Sequence, residues 1–177
     1  MADALPDLLA EGLAVVFCGI NPGLQAAASG HHFAGRGNRF WQTLHLAGFT
    51  DRRLRPEDDR MLLDYRCGLT SVVERPTARA DELSSAEFLA AATVLEQKIA
   101  RYRPDCIAFL GKAAYGTLSG RMAVSWGRQP ETIQGSSVWV LPNPSGRNRA
   151  FALAELVGAY RALRLATCVS VASSPAA

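Results

Sequence analysis

The sequence predicts an α/β domain built as a sandwich around a mostly parallel sheet. Three continuous apolar runs, at 13–20, 105–111 and 136–141, are typical of strands buried on both faces. Segments with helical spacing or helix start and stop signals alternate with these runs. A chain of 177 residues that is 49% hydrophobic has the length of one domain and can bury a core of its own.

The first half of the chain is expected to alternate strands and helices. The run "LAVVFCGI" at 13–20 predicts a buried strand that leads into a glycine-bearing loop. Residues 38–49 place aromatic and aliphatic side chains at helical intervals before a glycine, so a helix is expected there. Residues 55–68 begin with a proline next to acidic residues and end at a glycine, a second helix signature. Residues 69–76 predict a short strand that runs into a loop.

The second half repeats the alternation. Residues 84–104 give the clearest helix, with serines able to cap its start and a proline at its end. A buried strand follows at 105–111, and a short helix is expected at 112–118. The run at 136–146 predicts a third buried strand that ends in an Asn-Pro loop. A last helix is expected at 149–164.

The chain is predicted to form one domain over residues 1–165 with a flexible tail over 166–177. The tail is small, polar and without periodicity. No apolar run reaches the roughly 18–20 residues that span a bilayer. The N-terminus is acidic, unlike a signal peptide. We therefore expect a cytoplasmic protein without a membrane partner.

The cysteines and histidines argue against zinc, an iron–sulfur cluster or another metal site. The four cysteines, Cys18, Cys67, Cys106 and Cys168, form no CxxC pair and no metal-ligand spacing, and we expect Cys18 and Cys106 to be core residues. The three histidines are too poorly partnered to predict a metal site. The sequence therefore predicts no cofactor and no metal. A net charge of +3 permits a nucleic-acid partner without requiring one.

Two Asn-Pro loops are the candidate functional features. "GINPG" at 19–23 and "NPSGRNR" at 143–149 each follow a predicted strand. Because ligands bind beyond the carboxyl ends of strands in such sheets, the two loops are expected to face one cleft. The first loop continues with histidines, an aromatic residue and arginines among glycines, which suits a flat ring and a phosphate backbone. Alternatively, its aromatic residue packs in the core, its histidines cap the loop, and the second loop is a polar turn before a helix.

Three segments carry a family resemblance. "GINPGL…GHHFAGRGNRFW", "LLDYRCGLTSVVERPT" and "WVLPNPSGRNR" together resemble the mismatch-specific uracil-DNA glycosylases, the group of bacterial Mug and eukaryotic thymine-DNA glycosylase. The similarity runs in register from about residue 13 to 165. It implies a three-layer α/β/α fold around a short, mainly parallel sheet. It also implies an enzyme that flips uracil or a related pyrimidine out of DNA and hydrolyses the N-glycosidic bond.

The resemblance implies a role for each site residue. Asn21 matches the catalytic amide, Phe33 matches the aromatic that stacks on the flipped base, and Arg147 matches the wedge that enters the duplex. The full implied set is Asn21 for catalysis, Ile20, Ala26, His32, Phe33 and Asn143 for the base, and Gly146, Arg147, Asn148 and Arg149 for the DNA. Arg147 and the "GHHF" stretch match the eukaryotic relatives, and Ala26 stands where the resemblance to bacterial Mug leads us to expect serine.

The implied partner is double-stranded DNA with a G·U or related mispair, bound by a monomer. Extruding the nucleotide costs a few kcal/mol, and a mismatched pair is easier to open. An amide orients a water but accepts its proton less well than a carboxylate, so a slow enzyme is expected. Two other functions remain open from the residues: a non-catalytic DNA-binding module, and a hydrolase for a small nucleoside. The intact second loop favours DNA over a free nucleoside.

Overall fold

A five-stranded mixed sheet forms the centre of the computed structural model, which describes residues 5–167. Its strands are β1 (Val15–Gly19), β2 (Cys67–Ser71), β3 (Cys106–Leu110), β4 (Gly127–Ile133) and β5 (Ser136–Leu141). They lie in the order β2-β1-β3-β5-β4, and all pairs are parallel except β4 with β5. The mainly parallel sheet confirms the predicted fold class.

Helices cover both faces of the sheet. They are α1 (Leu24–Ser29), α2 (Phe40–Ala47), α3 (Ser85–Tyr102), α4 (Lys112–Ser119) and α5 (Leu153–Ala166), with 3-10 segments at Pro56–Tyr65 and Ala80–Glu82. Helices α2 and α5 pack on one face, where Phe17 stacks on Tyr160 and meets Phe40 edge-on. Helices α3 and α4 pack on the other face, against Ile107 and Phe109. The result is the three-layer sandwich that the resemblance implied.

The parallel register places the loops that carry the candidate residues at one edge. Cys18 of β1 lies beside Phe109 of β3, and Leu110 of β3 lies beside Leu141 of β5. The carboxyl ends of three adjacent strands therefore meet, and the loops after each of them emerge side by side.

Several boundaries differ from the sequence expectation. The segment expected as a helix at 55–68 is a 3-10 helix that ends at Tyr65, and β2 begins at Cys67, two residues earlier than predicted. Arg66 has a positive φ of 57°, which ends the helical turn and lets the strand start at once. Helix α5 begins at Leu153 rather than at 149, because residues 143–149 form the second loop.

The sequence did not predict α1 or β4. Helix α1 has six residues, too few for a helical period to be recognised. Strand β4 reads "GRQPETI", a polar stretch with a proline, and its pairing with β5 shifts between Arg128 and Thr132. Proline and an irregular register are tolerated there because β4 is an edge strand.

The tail was predicted to begin at residue 166, but helix α5 continues to Ala166. Residues 168–177 of the predicted tail lie outside the described part of the chain. Cys168 lies there too. Cys18 and Cys106 are fully buried, as predicted, and Cys67 is fully buried as well. Burial raises the pKa of Cys67 and of Cys106 to about 12, so both stay protonated thiols.

Over residues 5–167 no helix has the length and apolar character needed to cross a membrane.

Candidate active site

A cleft of about 1400 Å³ opens at the carboxyl edge of the sheet. Both Asn-Pro loops line it, together with residues 77–81 and 110–113. All ten residues that the sequence nominated line this one cleft: Ile20, Asn21, Ala26, His32, Phe33, Asn143, Gly146, Arg147, Asn148 and Arg149. The predicted convergence of the two loops is therefore present in the structure.

Asn21 lines the cleft and is held in a fixed orientation. Its Nδ2 donates to the backbone oxygen of Arg75 and to Oγ1 of Thr77, both at 2.8 Å. Both hydrogens of the amide nitrogen are therefore used, which identifies the amide oxygen as the end left to accept. Within residues 5–167, Oδ1 of Asn21 has no hydrogen-bond partner. The side chain can thus orient a water or a hydroxyl through Oδ1.

Thr77 is a site residue that sequence reasoning missed. The side chain is buried, and its Oγ1 donates to the backbone oxygen of Arg79 at 2.7 Å while it accepts from Asn21. The Thr77 N–H also donates to Pro22, next to Asn21. A hydroxyl with its own proton committed can only accept from the amide, so Thr77 fixes which way Asn21 points. The sequence signal for Thr77 was its position at the end of "SVVERPT". That stretch belongs to a segment that carries the family resemblance, but no residue in it was given a role.

Phe33 supplies an aromatic wall. Its ring lies nearly parallel to that of Phe40, 3.9 Å between centroids and 21° between planes, and it is half-buried. The Phe33 backbone has a positive φ of 55°, an uncommon conformation for a side chain of this size. One face of the ring is therefore backed by the core while the residue also lines the cleft. Phe33 therefore packs on the core, as the alternative interpretation expected, and it also lines the cleft.

His32 anchors the wall of the cleft next to Phe33. The residue is buried, and its ring Nε2 lies 2.8 Å from the backbone oxygen of Pro6. Its backbone N–H donates to the Asp59 carboxylate, and its backbone oxygen accepts from Trp41 Nε1. A carbonyl only accepts, so Nε2 carries the ring hydrogen. Burial lowers the pKa of His32, which keeps the ring neutral. Ala26, buried in α1, lines the same wall.

The second loop is stabilised largely by its own asparagines. Asn143 Oδ1 accepts from the Ser145 N–H at 2.9 Å, which leaves its Nδ2 as the available donor toward the cleft. Asn148 Nδ2 donates to the Asn143 oxygen at 2.9 Å, and Asn148 Oδ1 accepts from the Ala150 N–H. The side chain of Asn148 therefore shapes the loop from within.

The two loops are in direct contact. A Cβ at Gly146 would lie 2.7 Å from the Gly37 oxygen, so only glycine fits there without a shift. Arg39, at the end of the first loop, donates from Nη1 to the Phe151 oxygen at 2.7 Å and from Nη2 to the Asn148 and Ser145 oxygens at 2.7 and 3.2 Å. The sequence suggested a phosphate contact for the first loop's arginines. Arg39 is instead committed to the carbonyls of the second loop.

The outer rim of the cleft is basic. Arg147 is exposed and its Nη1 donates to the Ala78 oxygen across the cleft at 3.2 Å. Arg149 and Lys112 are exposed, and neither has an ion-pair partner within residues 5–167. The only carboxylate among the lining residues belongs to Asp81, which is exposed and paired with Arg79. This charge pattern suits a polyanion.

Chemically, the cleft combines an oriented amide oxygen, an aromatic wall and amide or backbone donors. The one carboxylate among the lining residues, that of Asp81, is paired with Arg79, so a water held by Asn21 would be oriented rather than deprotonated. Among residues 5–167, no group of three or more His, Cys, Asp or Glu side chains is arranged to hold a metal ion.

Comparison with known proteins shows a family and a similar fold. The family model described as "Uracil DNA glycosylase superfamily" matches residues 6–164. The chain is also similar to a solved structure from Methanosarcina acetivorans, a solution NMR structure described as that of "a putative Uracil DNA glycosylase". The two share 21% identity with a TM-score of 0.60, over 92% of this chain and 98% of that one.

Proposed function

Because this chain belongs to the uracil DNA glycosylase superfamily, whose members are generally N-glycosyl hydrolases acting on DNA, we propose that it removes mispaired uracil and related pyrimidines, especially opposite guanine. The observation that carries the proposal is the Asn21 amide, oriented by Arg75 and Thr77 in a cleft that Phe33 also lines and that has a basic rim. The proposed unit is residues 1–165, acting as a monomer in the manner of the Mug and thymine-DNA glycosylase group.

In this proposal the extruded base stacks on Phe33, whose ring is backed by Phe40 and so cannot yield. Asn143 Nδ2 donates to an oxygen of the base, and Ile20, Ala26 and His32 shape the rest of the wall. The bond to the sugar breaks with negative charge developing on the base, and fixed donors stabilise that charge. Asn21 Oδ1 orients the water that attacks the sugar carbon.

The second loop acts on the duplex. Arg147 fills the gap that the extruded nucleotide leaves, a general device of proteins that unstack DNA. Gly146 keeps the loop close to the first one, Asn148 holds the loop's shape beside the orphaned guanine, and Arg149 contacts a phosphate. Arg147 must first release the Ala78 oxygen, a single exposed hydrogen bond worth about 1 kcal/mol.

The proposed enzyme is monofunctional, since strand cleavage by β-elimination needs an amine to form a Schiff base. Lys98 is paired with Asp7 and Glu74, at 2.6 and 3.0 Å, and is absent from the cleft lining. Lys112 lines the cleft, but its Nζ lies over the Trp126 ring. Borohydride trapping on uracil DNA should give no covalent adduct. A robust adduct lost in Lys112→Gln would contradict the assignment.

The decisive test is incision of a labelled duplex with one G·U pair, followed by alkali. The native protein should release uracil, while Asn21→Ala should abolish release and bind the duplex with nearly native affinity. Arg121→Ala, an exposed substitution outside the cleft, is the control. Native binding without release would favour a DNA-binding module, and release from free deoxyuridine but not from duplex would favour a nucleoside hydrolase.

A further inference from the structure

A cluster at the mouth of the cleft has no role in the function proposed above. Lys112 Nζ lies 4.6 Å from the centroid of the Trp126 ring, and the Trp126 ring meets Phe151 edge-on, with centroids 5.3 Å apart and planes at 87°. Lys112 and Phe151 line the cleft. We call these three residues the Trp126 ledge.

Trp126 is exposed in a way that the other tryptophans are not. Its relative exposure is 41%, against 4% for Trp41 and 9% for Trp139. Its ring is nevertheless held in place, because Phe151 and Lys112 contact it. An exposed but fixed aromatic ring is a surface suited to a partner with flat or apolar faces.

The ledge is continuous with the second loop. Phe151 lies two residues after Arg149, and its backbone oxygen accepts from Arg39 Nη1 at 2.7 Å, in the same set of bonds that holds Asn148. The ledge is therefore anchored to the segment that is proposed to enter the duplex. Along this rim the unpaired charges of Lys112 and Arg149 are positive, so the occupant is an anion that also presents apolar faces.

We infer that the Trp126 ledge is a second DNA contact, outside the base pocket, that receives the strand next to the extruded nucleotide. The Lys112 ammonium pairs with a phosphate of that strand, and the exposed indole packs against the adjoining sugar or base. This inference rests on the proposed function for its choice of DNA. It goes beyond that function because neither Trp126 nor Phe151 takes part in base recognition or in the wedge.

The first measurement uses a duplex of about 20 base pairs with guanine opposite a tetrahydrofuran abasic analogue, which no glycosylase can cleave. Trp126→Ala should weaken binding about tenfold, within the range for loss of a base–aromatic contact, and Trp126→Phe should keep most of the affinity. Lys112→Gln should lower the salt slope of binding by about 0.9. Leu89→Ala, an exposed apolar residue on α3, and Arg101→Gln, a cation over the Tyr102 ring, are the matched controls and should leave both quantities unchanged.

The second measurement needs no substitution. Because Trp41 and Trp139 are buried, acrylamide quenching of the native protein reports mainly on Trp126. Adding the duplex should protect the fluorescence. Unchanged quenching, or Trp126→Ala and Lys112→Gln binding like the native protein at every salt concentration, would overturn the inference. Failure of the proposed activity looks different, since the native protein would then release no uracil whether or not the ledge binds DNA.

Discussion

Gly146→Ala tests whether the two loops act as one unit. A Cβ at Gly146 would lie 2.7 Å from the Gly37 oxygen and 3.0 Å from its carbonyl carbon, both backbone atoms that cannot rotate away. Ordinary contact begins near 3.4 Å, so the loops must separate by about 0.7 Å. Overpacking of this kind costs about 1–3 kcal/mol. For a domain of this size, that is a fall in Tm of roughly 2–10 °C.

The displacement should also affect catalysis. Separating the loops stretches the bond from the Arg39 N–H to the Pro144 oxygen, now 3.0 Å, and moves Arg147 relative to Asn21. Misplacement of about 1 Å can reduce a rate by about 10²-fold, so we expect a single-turnover rate on G·U duplex about 10- to 100-fold below native. Gly35→Ala is the matched control, because a Cβ there meets nothing within 4 Å. If the two variants matched each other in both Tm and rate, the argument from loop contact would be refuted.

Four further predictions follow from individual contacts. Thr77→Val should lower the single-turnover rate about tenfold with unchanged duplex affinity, because Asn21 loses an orienting hydrogen bond, and Thr77→Ser should restore most of the rate. Arg147→Ala should slow release most from well-paired substrates, which are hardest to open, whereas Arg149→Ala should weaken binding evenly and reduce the salt slope by roughly one unit; equal effects on every substrate would remove the distinction. Burial lowers the pKa of His32, so the ring stays neutral in the native state while the same ring in the unfolded chain takes up a proton below about pH 6.5. The stability present above pH 6.5 should therefore decline as the pH falls. In thermal melts between pH 7 and 5, the Tm of His32→Gln should decline less steeply than the Tm of the native protein. Ala26→Ser should raise the ratio of uracil to thymine release from G·U and G·T duplexes, by an amount within about 1–3 kcal/mol, and an unchanged ratio would show that Ala26 does not set the tolerance for a 5-methyl group.

The sequence predicts those strands of the sheet whose residues are buried on both faces and are therefore all apolar. Strands β1, β3 and β5 are covered by helices on both faces, so each reads as a continuous apolar run. Strand β4 has a neighbour on one side only and exposes most of its residues, and nothing in its composition distinguishes it from a loop. The missing elements are therefore those with the least buried surface.

The sequence predicts the location of the site more fully than it predicts the hydrogen bonds within the site. Parallel strands bring their carboxyl ends to one edge, which is why residues 19–23 and 143–149 share a cleft although they lie far apart in the chain. The partners of each side chain depend on loop geometry that no periodicity encodes. Thr77 was overlooked for this reason, since its hydroxyl matters only through the position of Asn21.

Arg39 is the residue through which this loop geometry matters most, because its side chain joins the two loops. Its guanidinium donates to the backbone oxygens of Ser145 and Asn148 in the second loop and of Phe151 just after it, all more than 100 positions away in the sequence. Its Nε is buried without a partner in the described chain. Charge-assisted bonds of this kind are among the stronger ones in proteins. A shift of the second loop by itself would break these bonds. In the proposed function they fix the Arg147 side of the cleft relative to the Asn21 side before DNA binds. Such preorganisation lowers the ordering cost of binding. It is of most value to the enzyme proposed here, in which the Asn21 amide orients a water but accepts its proton poorly.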